Sequence, residues 1–495
     1  MVIRKISYYR VIVSLCLFMF FLSPVFGDEN SAVSFDKELP ENNIVTIQPD
    51  SLRILHNPLT GWVLYASMGV DAADFWAQYD HMYIPELGHN VSVTDYAHTL
   101  YIRASWTDFN PQEDVYGWKI DSNLRAYIEG AYQRNMRLAF RVVVDSRDKR
   151  TEFTPQFVKD AGAKGFMNKG KWSPYSDDPV FQKYYTKFVK ALAKDFNDPS
   201  KVEFIDGFGL GKWGEYHTMI YSTGDDTPKK AVFDWVTDIY SQAFDKVPVV
   251  INYHRWIGAG KDWVDDEHFA ADSEEMLEGA IKKGYSLRHD AFGMTTYYGS
   301  WERRFAKKYR NICPIIMEGG WIVKSHSYWQ DPRGYRKDSH EDVRRGEFDD
   351  SKEAHVNMMD FRFGDTESWF KDAFDLVRRF LREGGYRLYP SEISLPLEVS
   401  KKTTPTIKHC WNNLGWGYCP TNIPQWNQKY KVAFALLDSE TNEVRYTFVD
   451  TDTDLSKWIK GSPVEYVFEP DMSKVETGTY VWAVGLVDRS NKDLI

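Results

Sequence analysis

A (β/α)8 barrel followed by a small antiparallel β-sandwich is the fold class this chain predicts, and three observations carry that reading. From about Leu52 to about Tyr386, eight short apolar runs alternate with stretches of helical periodicity. After Gly385 the helical periodicity stops, and β-like segments separated by turn residues take over. The chain has 495 residues, more than one ordinary core accommodates, so two folded units are expected.

The runs expected as barrel strands are Trp62–Ser67, Thr99–Ala104, Arg137–Val144, Phe204–Leu210, Val247–Tyr253, Ala291–Tyr297, Pro314–Met317 and His355–Phe361. Helices are expected at Asn123–Asn135, Val180–Phe196, Val232–Phe244, Glu275–Lys283 and Ser368–Arg382. In the second of these, Phe181, Tyr184, Tyr185, Phe188, Val189 and Leu192 recur at helical spacing. A doubly wound open sheet is the structural alternative, but no glycine-rich phosphate loop follows the first strand. Long loops follow several strands: Gly69–His98, Asp145–Asp178, Asn252–Asp272 and Gly319–Ser351. In a barrel these rise together on the C-terminal face, where sites form. The barrel is expected over 52–386. The sandwich, of Ig-like type, is expected over 387–495, with strands at Glu392–Val399, Lys429–Leu437, Val444–Asp450, Val464–Phe468 and Tyr480–Asp488.

The N-terminus reads as a signal peptide over 1–27. Arg4, Lys5 and Arg10 precede the apolar stretch Val11–Leu22, and Val25-Phe26-Gly27 sets a cleavage point. The apolar stretch is short for a membrane anchor, so an exported chain, periplasmic or secreted, with no span after signal removal is expected. Residues 28–51 are polar and read as a leader or linker. Without the signal, three cysteines remain. Cys410 and Cys419 flank a turn-rich segment and are candidates for a disulfide; Cys313 reads as a buried free thiol. The net charge of −10 argues against a nucleic-acid partner. No Cys/His spacing resembles a zinc site, and no metal or organic cofactor is expected. Aromatic residues reach 16%, which either fills two large cores or supplies flat surfaces for sugar rings.

Two glutamates stand out. Glu318 directly follows the apolar run Pro314–Met317, and Glu215 follows Gly-Lys-Trp-Gly after the run that starts at Phe204. A strand-end carboxylate in an apolar setting needs a partner or a purpose. Glu318 is therefore either a nucleophile or one half of a structural ion pair with a barrel arginine. Glu215 is either an acid/base with Trp213 as its apolar wall or a surface-loop residue. Arg103 and Arg141, on strands two and three, are placed to orient a carboxylate, or to pair with Asp145 or Asp206. Tyr253, Tyr297 and Tyr298 end strands five and six. His217 and Asn252 are candidate hydroxyl binders, and Trp106, Trp301 and Trp321 are candidate stacking platforms.

The endings Gly-Lys-Trp-Gly-Glu-Tyr-His (211–217) and Pro-Ile-Ile-Met-Glu-Gly-Gly-Trp (314–321) resemble the clan of retaining glycosidases with two glutamates on strands four and seven. Arg103-Ala-Ser-Trp106 and the stretch from Phe109 to Trp118 are similar to strand two of the beta-galactosidase-like barrels of family 42. The opening Asn57-Pro-Leu-Thr-Gly-Trp62, with 211–217, also resembles a group of exported bacterial proteins that join an uncharacterised barrel to a sandwich tail. The resemblance implies Glu215 as acid/base and Glu318 as nucleophile, acting on a β-linked oligo- or polysaccharide. One position departs: where the clan carries Asn before the acid/base to bind a 2-hydroxyl, this chain has Gly214. Rival readings are a non-catalytic glycan-binding protein on the same scaffold and an inverting hydrolase with a wider carboxyl gap.

Overall fold

The computed structural model describes residues 13–14, 42–147, 151–260, 267–322, 331–400 and 403–490. The chain divides into two compact units. One holds Pro58–Gly385 with Ile423–Gln425, and the other holds the remaining N-terminal residues with Tyr386–Asn422 and Trp426–Ile495.

The first unit is a closed barrel of eight parallel strands in chain order. They are β1 Gly61–Tyr65, β2 Ala97–Ser105, β3 Arg137–Val143, β4 Val202–Asp206, β5 Val249–Asn252, β6 Tyr285–Phe292, β7 Ile315–Gly319 and β8 Met358–Asp360. Each strand is followed by a helix of the outer layer, as at Ser122–Gln133, Pro179–Phe196, Lys229–Ala243 and Glu267–Lys282. The local code is readable at Pro179–Phe196. Asp178 accepts from the Phe181 amide at 2.8 Å, and Pro179 occupies the first turn, where no donor is lost. Phe181, Tyr185, Phe188, Val189 and Leu192 bury one face of this helix, each side chain contributing roughly 1.5–3 kcal/mol.

The sixth strand is a correction. Expected at Ala291–Tyr297, it runs over Tyr285–Phe292 instead. Its centre is Arg288-His289-Asp290, and those charges interrupt the apolar run that marks a buried strand. The barrel interior accepts them because they are paired there. Helices Ala72–Asp80 and Gln156–Asp160 lie inside stretches expected as loops, His340–Glu353 lies mostly inside another, and Ser300–Tyr309 is a further helix between expected strands. Trp62, in the conspicuous opening segment, is core: its ring stacks on Phe361 at 4.3 Å, and its indole N–H donates to the Val377 carbonyl.

The second unit holds two antiparallel sheets. One is ordered 464–468, 407–413, 388–396, 42–46; the other 444–450, 430–438, 480–488, with Val13–Ser14 added in parallel at its edge. Rings from the two sheets meet, Phe434 with Phe468 at 5.8 Å and with His409 at 5.1 Å, so the sheets form a sandwich. Val444–Asp450, Val464–Phe468 and Tyr480–Asp488 match the expected strands, and Ile407–Asn413 is an additional one. Asn42–Thr46, expected within a linker, is an edge strand paired with Leu388–Pro396. The expected signal segment lies outside the described residues apart from Val13–Ser14.

The expected Cys410–Cys419 disulfide is absent, and both thiols are free. Strand Ile407–Asn413 buries Ile407, His409, Trp411 and Asn413 on one face, which leaves Cys410 on the half-exposed face, whereas Cys419 is buried. Cys313 is a buried free thiol, as expected. Among the described residues, no helix is long and apolar enough to cross a membrane.

Candidate active site

The C-terminal ends of the barrel strands surround a cleft of about 890 Å³. Its floor and walls include Arg103, Trp213, Glu215, Asp290, Tyr297, Glu318 and Trp321. Glu318 is the penultimate residue of β7, held inside the barrel and only 4% exposed. Glu215 comes from the loop after β4 and retains slightly more exposure, 13% on its side chain. The two glutamates that the sequence singles out thus face one cavity.

The loop that delivers Glu215 is contorted. Gly209, Gly211, Trp213, Gly214, Tyr216 and Thr218 all have φ between +49° and +76°. For Trp213, Tyr216 and Thr218 this is a left-handed conformation that costs energy, and such strain gathers at functional sites. The surroundings over-determine it: the Trp213 carbonyl accepts from Arg103 at 2.6 Å, and the Glu215 carbonyl accepts from His254 at 2.8 Å. Gly214 now has a structural reason. Its φ is +76°, and an added Cβ would sit 3.3 Å from Val143 and 3.4 Å from Arg141. A side chain at position 214 is strained in this backbone, which favours glycine there.

Beneath the cleft lies a network of ions. Arg103 of β2, Arg141 of β3 and Asp206 of β4 are in register across neighbouring strands, so all three point inward. Arg141 holds Asp206 and Asp290, both at 2.6 Å, and lies 3.6 Å from Glu215. Arg103 lies 3.5 Å from Glu215 and donates to the Tyr65 hydroxyl at 3.2 Å. Arg288 contacts Glu318 directly, with Asp290 and Asp360 each at 3.1 Å. An alternating chain of charge, Glu215–Arg141–Asp290–Arg288–Glu318, therefore links the two glutamates.

Five carboxyls (Asp206, Glu215, Asp290, Glu318 and Asp360) meet three guanidiniums, so full ionisation leaves an excess of negative charge. The network resolves this unevenly. Asp290 sits between two arginines, and although burial opposes ionisation, Arg141 and Arg288 hold its carboxyl far below the usual range. Glu318 is pushed up to about 8, by burial first and then by the charge on Asp290, against the pull of Arg288. Asp360 is raised to about 6, again mainly by burial.

Behind Glu215 a small recess of about 30 Å³ opens between the ends of β4, β5 and β6. Glu215, His217, Asn252, His254, Trp256, His289, Asp290, Ala291 and Tyr297 line it. His217 lies 3.3 Å from the Glu215 carboxyl.

The expected site residues thus separate into groups. Arg103, Glu215, Tyr297, Glu318 and Trp321 line the cleft; His217 and Asn252 line the recess; Arg141 is buried in the network below. Four others are corrected, because they serve packing. Trp106 is fully buried under the outer helices, 5.2 Å from the Tyr185 ring, and Trp301 stacks on Phe305 at 5.1 Å. Tyr253 and Tyr298 are buried, with their hydroxyls 3.4 Å apart. The Asp145 alternative for Arg141 is also corrected, since Asp145 pairs with Arg147. The reading from sequence missed Arg288, Asp290 and Asp360, and also Phe363, whose half-exposed ring lines the cleft. The signal for Arg288 and Asp290 was present: two charges at alternate positions of a strand point to the same side.

No family model matches the chain, and no curated protein matches it. Among solved structures, a GH30 endoxylanase from Clostridium papyrosolvens C71 is 8% identical, with a TM-score of 0.40 over 84% of this chain and 95% of that one. Endo-glycoceramidase II from Rhodococcus sp. is 13% identical, with a TM-score of 0.39 over 83% and 97%. Xylanase B from Clostridium stercorarium F9 is 13% identical, with a TM-score of 0.36 over 63% and 88%. Likeness this distant does not extend to activity, which has to be argued from the site itself.

Proposed function

We propose that this chain is a retaining glycoside hydrolase acting on a β-linked glycan. The observation that carries the proposal is that Glu215 and Glu318, delivered by different strand ends, face one open cleft. Trp321 and Phe363 expose more than half their surface there, and Trp213, Tyr65 and Tyr297 add aromatic wall, which suits the flat faces of sugar rings.

In the first step ionised Glu318 attacks the anomeric carbon. The bond to the leaving oxygen breaks, and that oxygen takes the proton of Glu215. In the second step Glu215 removes a proton from water, the water oxygen attacks the same carbon, and the carboxylate of Glu318 departs. Arg288 supports this role by orienting Glu318 and favouring its charged form. Arg103 and Arg141, near Glu215, steady the negative charge it carries between the steps. The family 42 likeness over residues 103–118 suggests a galactoside. The leading segment 1–27 suggests export, which N-terminal sequencing of the mature protein tests.

The central test is hydrolysis of a panel of 4-nitrophenyl β-D-glycosides and oligosaccharides by wild type, Glu215→Gln and Glu318→Gln. Product anomers followed by NMR distinguish retention from inversion. Binding of glycans by wild type without turnover establishes the non-catalytic reading instead.

A further inference from the structure

Asn252 and His289 line the recess, and each carries unused hydrogen-bonding capacity. Both are 3% exposed, and among the described residues neither the Asn252 side-chain oxygen nor His289 Nε2 has a hydrogen-bond partner. A buried polar atom left in that state is costly, and two on one small cavity call for a reason. The chemistry of each atom is readable. His289 Nδ1 accepts from the Ala291 amide at 3.0 Å, so in the neutral ring the proton sits on Nε2, which is then a donor. Burial, then the nearby His254, hold this ring neutral by lowering it to about 3. The ring is fixed between Tyr253 at 4.9 Å and Tyr298 at 5.0 Å. The carbonyl oxygen of Asn252 is an acceptor. One donor and one acceptor, both uncharged, match a hydroxyl, which accepts and donates at once. They do not match a carboxylate, which only accepts, or an ammonium, which only donates. A volume of about 30 Å³ admits one such group.

We propose that this recess is the specificity subsite that binds one hydroxyl of the sugar held against Glu215, with Asn252 accepting from it and His289 Nε2 donating to it. The inference rests on the glycosidase reading above. It also explains how the chain dispenses with a side chain at Gly214: the hydroxyl contact moves from the residue before Glu215 to the ends of β5 and β6.

The test uses the full chain and the best-hydrolysed 4-nitrophenyl β-D-glycoside of the panel, beside its four monodeoxy forms. Wild type is expected to lose on the order of 10²-fold in kcat/KM for one deoxy form, because that substrate leaves the buried pair unmet. In Asn252→Ala, and separately in His289→Phe, which keeps the ring packing, that one penalty collapses toward unity while the other three stay unchanged. His289→Gln, which restores a donor, recovers part of it. Retention of every deoxy penalty in both Asn252→Ala and His289→Phe overturns the subsite and leaves the glycosidase reading standing, as does a wild type indifferent to all four deletions. Absence of both hydrolysis and calorimetric binding of every panel member by wild type overturns the glycosidase reading, and the subsite with it.

Discussion

The interiors of the two units are built from opposite materials. In the sandwich, Trp411 stacks on Trp458 at 4.7 Å and Phe434 on Phe468 at 5.8 Å, and the polar His409 buried beside them is held by partners. His409 accepts from the Trp411 indole at 2.8 Å and pairs with Asp450 at 3.0 Å. In the barrel, below the cleft, three arginines and five carboxyls take the place of apolar side chains. Buried ion pairs of this kind are a poor route to stability, since desolvation offsets most of the Coulomb gain. The difference teaches that the sandwich interior is spent on cohesion, whereas the upper barrel gives up cohesion to hold charge in fixed positions.

The largest effect that sharpens this contrast is on turnover. Glu215→Gln is expected to lower kcat by roughly 10²–10⁴-fold, and Glu318→Gln to reduce it to background, with the fold intact by circular dichroism. Full turnover in both variants breaks the site assignment. In the sandwich, Trp411→Ala is expected to cost about 3–5 kcal/mol in denaturant unfolding, with kcat below the unfolding temperature left in place.

The network's own charges come next. Glu318 must be ionised to attack, so kcat/KM is expected to rise with pH through about 8. Asp290→Asn removes a neighbouring negative charge and is expected to move that limb to lower pH, by roughly one unit. A limb that instead falls above pH 8 exchanges the roles of the two glutamates.

The smallest effect is on stability. Between the ordinary carboxyl value of 4.5 and about 8, the folded chain holds a proton on Glu318 that the unfolded chain has released. That contribution is fully present below pH 4.5 and is lost as pH rises through 8. Thermal unfolding midpoints are expected to show this decline in wild type and a shallower one in Glu318→Gln; identical slopes count against the buried protonated carboxyl.

Much of this molecule was legible before folding was considered. Apolar runs alternating with helical spacing read as a barrel because burying a strand on both faces demands apolar residues, and eight such runs follow one another. Glu215 and Glu318 were conspicuous for the same reason, as carboxylates set against apolar or glycine-rich chain. The sixth strand was displaced because Arg288 and Asp290 look like a loop until their partners, from β3, β7 and β8, are brought beside them. Trp106 and Trp301 illustrate the converse: an indole after a strand reads equally as a platform or as core, and only packing against the outer helices chooses core.

Local pattern, then, determined which segments become strands and which two carboxylates end up inside a barrel, since both follow from the cost of burying polar groups along a single stretch of chain. Tertiary structure alone decided which charges neutralise one another, which thiols stay apart and which polar atoms line a recess, because those depend on distances in space that local pattern does not set, as between Arg288 and Glu318, 30 positions apart, or Arg141 and Asp290, 149 apart.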